Sequence, residues 1–416
     1  MPLWENYKIA SHAETYINVA LHLMTSRNFI EKASAHSKPQ HVLVLGVEPQ
    51  SLINFRKDLI VELKAQGHRV TVAALKPPAE IKIALEDLGT KVRSATFSRA
   101  GMNPFRDLAT FGSLVGLFRR TRPDVVIAYT SKPVIYGALA ARMAGVPHFA
   151  AMITGLGYAF IAGPGGKRRV ARGMAILLYR IALKRCSAII FQNPDDRATF
   201  AELGLLKGAG RVGIVNGSGV DLQHFQLCPL PPKPVFLLVS RLLADKGIRE
   251  FAQAAARLRK ALPGVRTLLV GGLDPSPNSV GQKELDGWVA GGLEYLGHLS
   301  DVRPAIAQAS VVVLPSYREG TPRSVLEGMA MGRAIITTDA PGCRETVKAG
   351  INGILVPPRN SEALFDAMVS LAATDRVIDS MGRASRQIAE EKYEGKAVAR
   401  EIIRQAGLGA RSTDEY

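Results

Sequence analysis

VVVLPSYREGTPRSVLEG, residues 311–328, is the stretch that decides the fold. Its first four residues are typical of a buried strand, and Pro322 fits the first turn of a following helix. Unpaired amides at a helix N-terminus bind anions. Glu319 is expected in the loop at the helix mouth and Glu327 about one turn inside, so the two carboxylates can meet hydroxyl groups of one ligand. The spacing alone also fits a solvated loop glutamate and a helix-surface charge.

The alternation of apolar runs and helical segments extends in both directions from this stretch. Strands are predicted at 41–47, 69–74, 123–129, 146–153, 188–192, 212–215, 235–239, 267–270, 311–314, 334–337 and 354–356. Such alternation favours α/β folds with parallel, doubly wound sheets, in which ligands bind beyond the carboxyl ends of the strands.

A proline-rich segment, PLPPKP at 229–234, divides the pattern into two halves and is typical of a linker. We therefore expect two Rossmann-like domains that face each other across a cleft. The expected divisions are an N-terminal extension at 1–39, a first domain at 40–228, a second domain at 229–395 and a C-terminal tail at 396–416.

Composition describes a packed globular chain: 47% of the 416 residues are apolar and 21% are charged. The three cysteines are too few for a disulfide framework and too scattered for a CxxC zinc site. We find no apolar run of about 20 residues and no signal-peptide pattern, so we expect a cytoplasmic protein, soluble or bound to a membrane surface.

The net charge of +17 is unevenly distributed. Residues 1–225 hold 29 basic and 15 acidic side chains, residues 226–416 hold 24 and 21, and no acid occurs between Val125 and Pro194. This asymmetry predicts an anionic partner: nucleic acid, anionic lipid or a phosphorylated substrate. A nucleic-acid-binding protein is the less favoured alternative, because no recognition motif supports it and only 6% of residues are aromatic.

Two cations follow the strand at 235–239. Arg241 and Lys246 would lie on the loop beyond that strand. Arginine binds a phosphate through a planar fork and lysine as a point charge, so the pair could hold a diphosphate. Basic loop residues that are simply solvated are the alternative.

The E-x7-E run from Glu319 to Glu327, with the S-R-x4-K-G segment upstream, resembles retaining glycosyltransferases of family 4. Gly342–Glu345, Gly350–Val356 and Gly219–Asp221 also match that family. The resemblance covers residues 41–395 and implies the glycosyltransferase-B (GT-B) fold of two Rossmann-like domains.

The resemblance implies roles for the donor residues. Arg241 and Lys246 would bind the diphosphate of a nucleotide sugar, expected to be UDP-linked, Glu327 would bind the ribose, and Glu319, the candidate catalytic residue, would contact the donor hexose. Further donor contacts are implied for Gly320, Thr321, Pro322, Ser324, Val325 and Leu326. The implied transfer is retaining, by front-face attack, without metal or cofactor. The lack of any D-x-D sequence agrees with metal-free transfer.

The first half resembles bacterial enzymes that extend polyprenyl-diphosphate-linked sugars, including N-acetylgalactosaminyltransferases of bacterial N-glycosylation. The segments that carry this resemblance are 51–56, 97–105, 130–137 and 154–157. It implies a polyprenyl-diphosphate-linked glycan acceptor, surface polysaccharide or glycan assembly, and a peripheral location at the inner face of the cell membrane. The expected acceptor contacts are Ser51, Asn54, Arg56, Lys57, Lys132, Thr154 and Gly155.

A basic amphipathic helix is predicted around residues 169–184. Its cations fall on one arc and its apolar residues opposite, so it could lie on an anionic membrane surface. Alternatively, its apolar face packs inside the domain and its charges are solvated. The residues expected at the membrane are Arg168, Arg169, Arg172, Arg180 and Lys184. A soluble acceptor, used by a transferase or an epimerase acting on sugar nucleotides, is the alternative function.

Overall fold

The computed structural model describes residues 38–97, 104–156, 160, 166–274, 276 and 278–408, without the side chains of 104, 167–169 and 375. Nearly all of the expected N-terminal extension lies outside these residues. Within the described part of the chain, no helix is long and apolar enough to cross a membrane.

The first domain is built on a seven-stranded parallel sheet in the order β3-β2-β1-β4-β5-β6-β7. Helices on both faces cover the central strands, which explains why these are apolar throughout. Its strands are β1 (His41–Leu45), β2 (Arg69–Ala74), β3 (Lys91–Ser94), β4 (Val125–Tyr129), β5 (His148–Ile153), β6 (Ala188–Phe191) and β7 (Arg211–Ile214). Its helices are α1 (Pro49–Ala65), α2 (Ala79–Asp87), α3 (Pro104–Thr121), α4 (Ser131–Ala144), α5 (Gly166–Leu183) and α6 (Pro194–Glu202).

The second domain repeats this plan with a six-stranded parallel sheet in the order β10-β9-β8-β11-β12-β13. Its strands are β8 (Val235–Val239), β9 (Arg266–Val270), β10 (Glu294–Tyr295), β11 (Val311–Leu314), β12 (Ala334–Thr338) and β13 (Gly353–Val356). Its helices are α7 (Ile248–Ala261), α8 (Gln282–Ala290), α9 (Arg303–Ala307), α10 (Arg323–Ala330), α11 (Ser361–Ala372) and α12 (Asp375–Lys392), with 3-10 turns at Ala244–Lys246 and Arg344–Thr346. The expected two-domain α/β architecture is confirmed.

The chain passes between the domains earlier than the expected boundary at 228/229. Val220 and Phe225 are already buried in the core of the second domain, and the proline-rich segment lies on that domain beside Ser310 and Ile378. Proline content marked a stretch without regular hydrogen bonding, but the crossing itself occurs just after β7.

The end of the chain returns to the first domain. Residues Gly395–Gln405 form helix α13, which packs on α1 and buries Val398 and Ile402 in the core below the first sheet. The segment around Glu394, which returns to the first domain, lies beside the segment around Val220, which leaves it. The Val220 amide donates to the Tyr393 carbonyl, and the Gly395 amide donates to the Val220 carbonyl. The segment expected to be a tail at 396–416 is therefore an integral helix as far as 405, and 409–416 lie outside the described residues.

The strand order reverses between β1 and β4 in the first sheet and between β8 and β11 in the second. Such reversal points open a crevice beyond the carboxyl ends of the strands, where ligands bind. In the second sheet, the loops that leave this crevice carry Arg241, Lys246 and Glu319, the residues that the sequence analysis selected.

Candidate active site

A cavity of about 530 Å³ lies between the two domains. Helix α1 of the first domain contributes Asn54 and Lys57, and the second domain contributes most of the remaining wall. A cavity of this volume is in the usual range for a small-molecule ligand. The predicted residues that line it are Asn54, Lys57, Arg241, Lys246, Glu319, Pro322, Ser324 and Glu327.

Lys246 and Glu319 form the central ion pair of the cavity. Lys246 Nζ lies 2.6 Å from Glu319 Oε1, and each side chain is 16% exposed. The next residue, Gly247, has φ +70°, and a Cβ there would collide with the Pro315 carbonyl, so only glycine lets the β8 loop approach the β11 loop this closely. The two predicted groups are therefore brought together by the packing of neighbouring loops.

Helix α10 begins at the wall of the cavity. Pro322 is its N-cap, and no side chain of the described residues caps it. The Pro322 carbonyl accepts hydrogen bonds from the amides of Val325 and Leu326, so the amides of Arg323 and Ser324 have no intrahelical acceptor. Together with the helix dipole, they make this wall favourable for an anion.

The amides of Val325 and Leu326, which the resemblance implied as hydrogen-bond donors to the phosphates, are therefore already engaged in the helix. The side chains of both residues are buried in the core of the second domain. Ser324 does line the cavity.

Arg323, which the sequence analysis did not select, holds Glu327 in place. Its Nε lies 3.0 Å from Glu327 Oε1, and its Nη1 donates to the Gly219 carbonyl at 2.7 Å. Burial raises the pKa of Glu327, and the guanidinium opposes that rise. The i,i+4 spacing of an arginine and a glutamate on one helix is the signal that could have identified this pair.

Arg241 lies at the more open side of the cavity. Its side chain is 69% exposed, and Nη1 lies 3.0 Å from Asp274 Oδ2. Gly271, Gly272 and His298 form the adjoining wall. A long exposed guanidinium at this edge can turn toward a bound diphosphate without breaking a buried contact.

Gly320 and Thr321 contact the first domain, and neither is among the described residues that line the cavity. Thr321 Oγ1 donates to the Gln192 carbonyl at 3.1 Å. A Cβ on Gly320 would collide with the Thr154 carbonyl, and one on Gly155 would lie 3.3 Å from the Gly320 amide nitrogen. Thr154 and Gly155, expected as acceptor contacts, lie at the domain interface against Gly320.

Two other expected acceptor residues form an internal network in the first domain. Ser51 Oγ is 2.7 Å from the Tyr129 hydroxyl, and the Arg56 guanidinium stacks 4.5 Å from the centre of the Tyr129 ring. Arg56 is 2% exposed and donates to Ser218 Oγ at 2.8 Å. Burial lowers the pKa of Arg56 to about 10. Tyr129 also covers Gly46, so it fills the crevice of the first sheet.

Lys132 is also paired within the first domain. Its Nζ lies 3.0 Å from Asp107 Oδ1, which joins the N-terminal turns of α4 and α3. A phosphate ligand would have to compete with this carboxylate. Among the described acceptor candidates, only Asn54 and Lys57 line the cavity.

Helix α5 presents an apolar stripe to solvent. Val170, Met174, Leu177 and Ile181 are 69%, 44%, 48% and 46% exposed and fall within an arc of about 60°. Tyr179, on the opposite face, is buried. Leu178, on the same helix, is partly buried against the core of the first domain. The alternative in which the apolar face packs inside the domain therefore does not hold for the four exposed residues. Arg172, Arg180 and Lys184 are exposed on this helix, and the side chains of Arg168 and Arg169 lie outside the described residues.

Carboxylates outside the E-x7-E run also line the cavity, among them Asp58, Asp221 and Asp301. Burial raises the pKa of Asp58, and the nearby Asp221 adds to the rise. In the described part of the chain, no group of three or more His, Cys, Asp and Glu side chains could hold a metal ion.

Comparison with known proteins agrees with this geometry. The family model "Glycosyl transferases group 1" matches residues 233–374, and "Glycosyl transferase 4-like domain" matches residues 55–217. The chain is a GT-B glycosyltransferase. The family resemblance inferred from the sequence is thereby confirmed.

The transferase is similar along most of its length to curated enzymes. It is 29% identical over 368 residues to the N,N'-diacetylbacillosaminyl-diphospho-undecaprenol alpha-1,3-N-acetylgalactosaminyltransferase of Campylobacter jejuni, covering 85% of this chain and 95% of that one. It is 26% identical over 296 residues to the UDP-Gal:alpha-D-GlcNAc-diphosphoundecaprenol alpha-1,3-galactosyltransferase of Escherichia coli, covering 68% and 74%.

Solved structures share the fold of the transferase. Sucrose-phosphate synthase from Thermosynechococcus elongatus superimposes with a TM-score of 0.73 at 19% identity, over 89% of this chain and all of that one. The Anabaena protein HepE, in complex with UDP-glucose, superimposes with a TM-score of 0.70 at 20% identity, over 88% and 99%.

Proposed function

We propose that this transferase moves a hexose or N-acetylhexosamine from a UDP-linked donor to a polyprenyl-diphosphate-linked sugar. The anomeric configuration is retained, and no metal or cofactor takes part. The observation that carries the proposal is the cavity in which the Lys246–Glu319 and Arg323–Glu327 pairs meet the start of helix α10.

The charges of the cavity suit departure of a nucleotide diphosphate. As the bond between the anomeric carbon and the diphosphate oxygen breaks, negative charge grows on the diphosphate. Lys246 and the first amides of α10 are already in place to stabilise that charge, and the exposed Arg241 can turn toward it. Glu319 accepts hydrogen bonds from the hexose hydroxyls, and its negative charge favours the positive charge that develops at the anomeric carbon. Glu327, held by Arg323, accepts from the ribose.

Bond formation is proposed on the face from which the diphosphate departs. The acceptor hydroxyl oxygen bonds to the anomeric carbon, and its proton passes to the departing phosphate oxygen. This step needs no protein nucleophile, and it retains the configuration. Asn54 and Lys57, on the opposite wall of the cavity, are the first-domain side chains placed to contact the acceptor.

The acceptor class rests on the relatives. Both named curated enzymes act, by their printed names, on sugars linked through a diphosphate to undecaprenol, and the Campylobacter enzyme is covered almost completely by this chain. A lipid-linked acceptor also agrees with the excess of positive charge in residues 1–225.

We also propose that α5 lies on the anionic inner face of the cell membrane. Phe105 and Leu108, at the start of α3, are 85% and 68% exposed. Helix α4 contacts both α3 and α5, and helices that follow parallel strands begin at the carboxyl edge of the sheet. The exposed residues at the starts of these helices, Phe105, Leu108 and Val170, therefore lie on the side of the domain next to the cleft, where a lipid-linked acceptor would enter.

The experiment is a transfer assay with a panel of UDP-sugars and undecaprenyl-diphosphate-linked mono- and disaccharides, run with and without EDTA. The expected product is an extended lipid-linked glycan with the donor anomeric configuration, as read by NMR, at a rate that EDTA leaves unchanged. Product with inverted configuration would contradict the retaining mechanism. Efficient transfer to water-soluble sugars, with none to the lipid-linked ones, would favour the soluble-acceptor alternative.

A further inference from the structure

The loop that carries Glu319 is held by the first domain as well as by its own. Asn193, fully buried at the end of β6, donates through Nδ2 to the Gly320 carbonyl at 2.9 Å and to the Glu319 carbonyl at 3.2 Å. Its Oδ1 accepts from the Asp196 amide at 2.7 Å and so caps helix α6. The amide orientation follows from these partners, because the backbone N–H needs an acceptor and the two carbonyls need a donor.

An ion pair supports this contact from the same helix. Asp196 is fully buried, and its Oδ1 lies 3.0 Å from Arg318 Nε, one residue before Glu319. Arg344 Nη1 reaches Asp195 Oδ2 at 2.7 Å. The first turn of α6 therefore contacts the second domain through three adjacent residues, at positions 193, 195 and 196.

The other contacts of Glu319 come from the second domain. Its amide donates to the Pro341 carbonyl at 2.9 Å, and its carboxylate pairs with Lys246. The Glu319 backbone is thus held between Pro341 on one side and Asn193 on the other. Of these contacts, the one with Asn193 depends on how the two domains sit together.

We propose that Asn193 is a positioning residue for the transfer: its contact across the domain interface fixes the Glu319 loop, so that the hexose-binding carboxylate is correctly placed only while this contact holds. The role rests on the proposed function, since Glu319 is taken as the hexose contact. It links the acceptor-binding domain directly to the donor site. Asn193 is not among the described residues that line the cavity, and it acts through the Glu319 backbone.

Aspartate at this position separates the two contacts of Asn193. Asn193→Asp keeps the acceptor that caps α6 but replaces the donor to the loop carbonyls with an oxygen. Asn193→Ala removes both contacts without adding charge. Asn360 offers a matched control, because it caps α11 through the amides of Glu362 and Ala363 and is exposed. Asn360→Asp makes the same chemical change where no interdomain contact exists.

We expect Asn193→Asp and Asn193→Ala to lower kcat by about 10- to 100-fold, because small displacements of a positioned group have effects of that size. Affinity for UDP alone should change by less than about threefold, since Arg241 and Glu327 do not contact Asn193. Hydrogen exchange in the 315–322 segment should become faster in both variants. Asn360→Asp should match the wild type in kcat and in exchange of that segment.

A double variant tests whether Asn193 acts through Glu319. In a Glu319→Gln background, Asn193→Asp should lower the remaining activity by less than about threefold. Full multiplication of the two effects would overturn the proposal, and so would wild-type kcat and wild-type exchange in both Asn193 variants. Absence of transfer by the wild-type enzyme would instead reject the proposed function. In that case, unchanged exchange at 315–322 would still reject the positioning role.

Discussion

Gly320 is the position where a single added methyl group most directly tests the contact between the Glu319 loop and the first domain. Its backbone φ is not in the left-handed region, so alanine is excluded there by crowding alone. A Cβ would lie 2.5 Å from Gln192 Oε1 and 2.7 Å from the Thr154 carbonyl carbon, and it would collide with the Thr154 oxygen. Ordinary contact begins at 3.4 Å.

To accept alanine, the Glu319 loop and the first domain must separate by about 1 Å, a displacement that lowers a rate by about a hundredfold. We therefore expect Gly320→Ala to reduce kcat by about that factor while the dissociation constant for UDP changes by less than about threefold. Overpacking should also lower the free energy of unfolding by about 1–3 kcal/mol. Steady-state transfer, calorimetric UDP titration and chemical denaturation measure the three quantities.

Gly287 supplies the matched control. It lies inside α8, and a Cβ there meets nothing within 4 Å. Gly287→Ala should leave kcat unchanged and raise the free energy of unfolding by about 0.5–1 kcal/mol. Adding Gln192→Ala to Gly320→Ala removes one of the two obstacles and should restore activity only in part. Wild-type kcat in Gly320→Ala would refute the reasoning, because the loop would then not depend on this contact.

Three further predictions follow from the same structure. Burial and Asp221 raise the pKa of Asp58, so the folded chain keeps that proton to higher pH than the unfolded chain, and stability falls as the pH rises above the pKa of the unfolded chain. Asp58→Asn should therefore raise Tm more at pH 8 than at pH 5, with Asp366→Asn as an exposed control. An equal gain in Tm at both pH values would contradict this. Changing Val170, Met174, Leu177 and Ile181 to serine should weaken sedimentation with anionic vesicles by at least about a hundredfold, because burying each half-exposed side chain in the membrane contributes about 1 kcal/mol. Serine at Val289 and Ile351 should not weaken it. Undiminished sedimentation of the first variant would argue against membrane contact through α5. Lys246→Met leaves Glu319 without its partner and removes the cation proposed to contact the diphosphate, so UDP affinity should fall at least about tenfold in calorimetric titration. An unchanged affinity would remove Lys246 from the donor site.

The strands of both sheets could be predicted wherever they are buried on both faces. β3 (Lys91–Ser94) and β10 (Glu294–Tyr295) escaped prediction because they are short edge strands without an apolar run. Helix α13 was assigned to a tail, since its amphipathic face is matched by α1, nearly 340 residues earlier in the chain. Burial patterns thus reveal elements, but not which distant element covers them.

That Lys246 and Glu319 lie in one cavity could be predicted, because both residues follow neighbouring strands of one sheet. Lys246 and Glu319 leave β8 and β11 at the point where the strand order reverses. The contact of Asn193 with the Glu319 loop could not be predicted, because the two carbonyls that it meets lie in the other domain. An asparagine directly before Pro194 indicates only the N-cap of a helix. Gly155 and Gly320, expected at the ligands, lie against each other across the domain interface, a contact that local sequence does not indicate.

A crystal structure of the enzyme with a bound UDP-sugar tests the central claim most directly. We expect the diphosphate to lie between Lys246 Nζ and the first amides of α10, with a hexose hydroxyl hydrogen-bonded to Glu319 and the ribose hydrogen-bonded to Glu327. A donor bound elsewhere, or one whose hexose points away from Glu319, would contradict it.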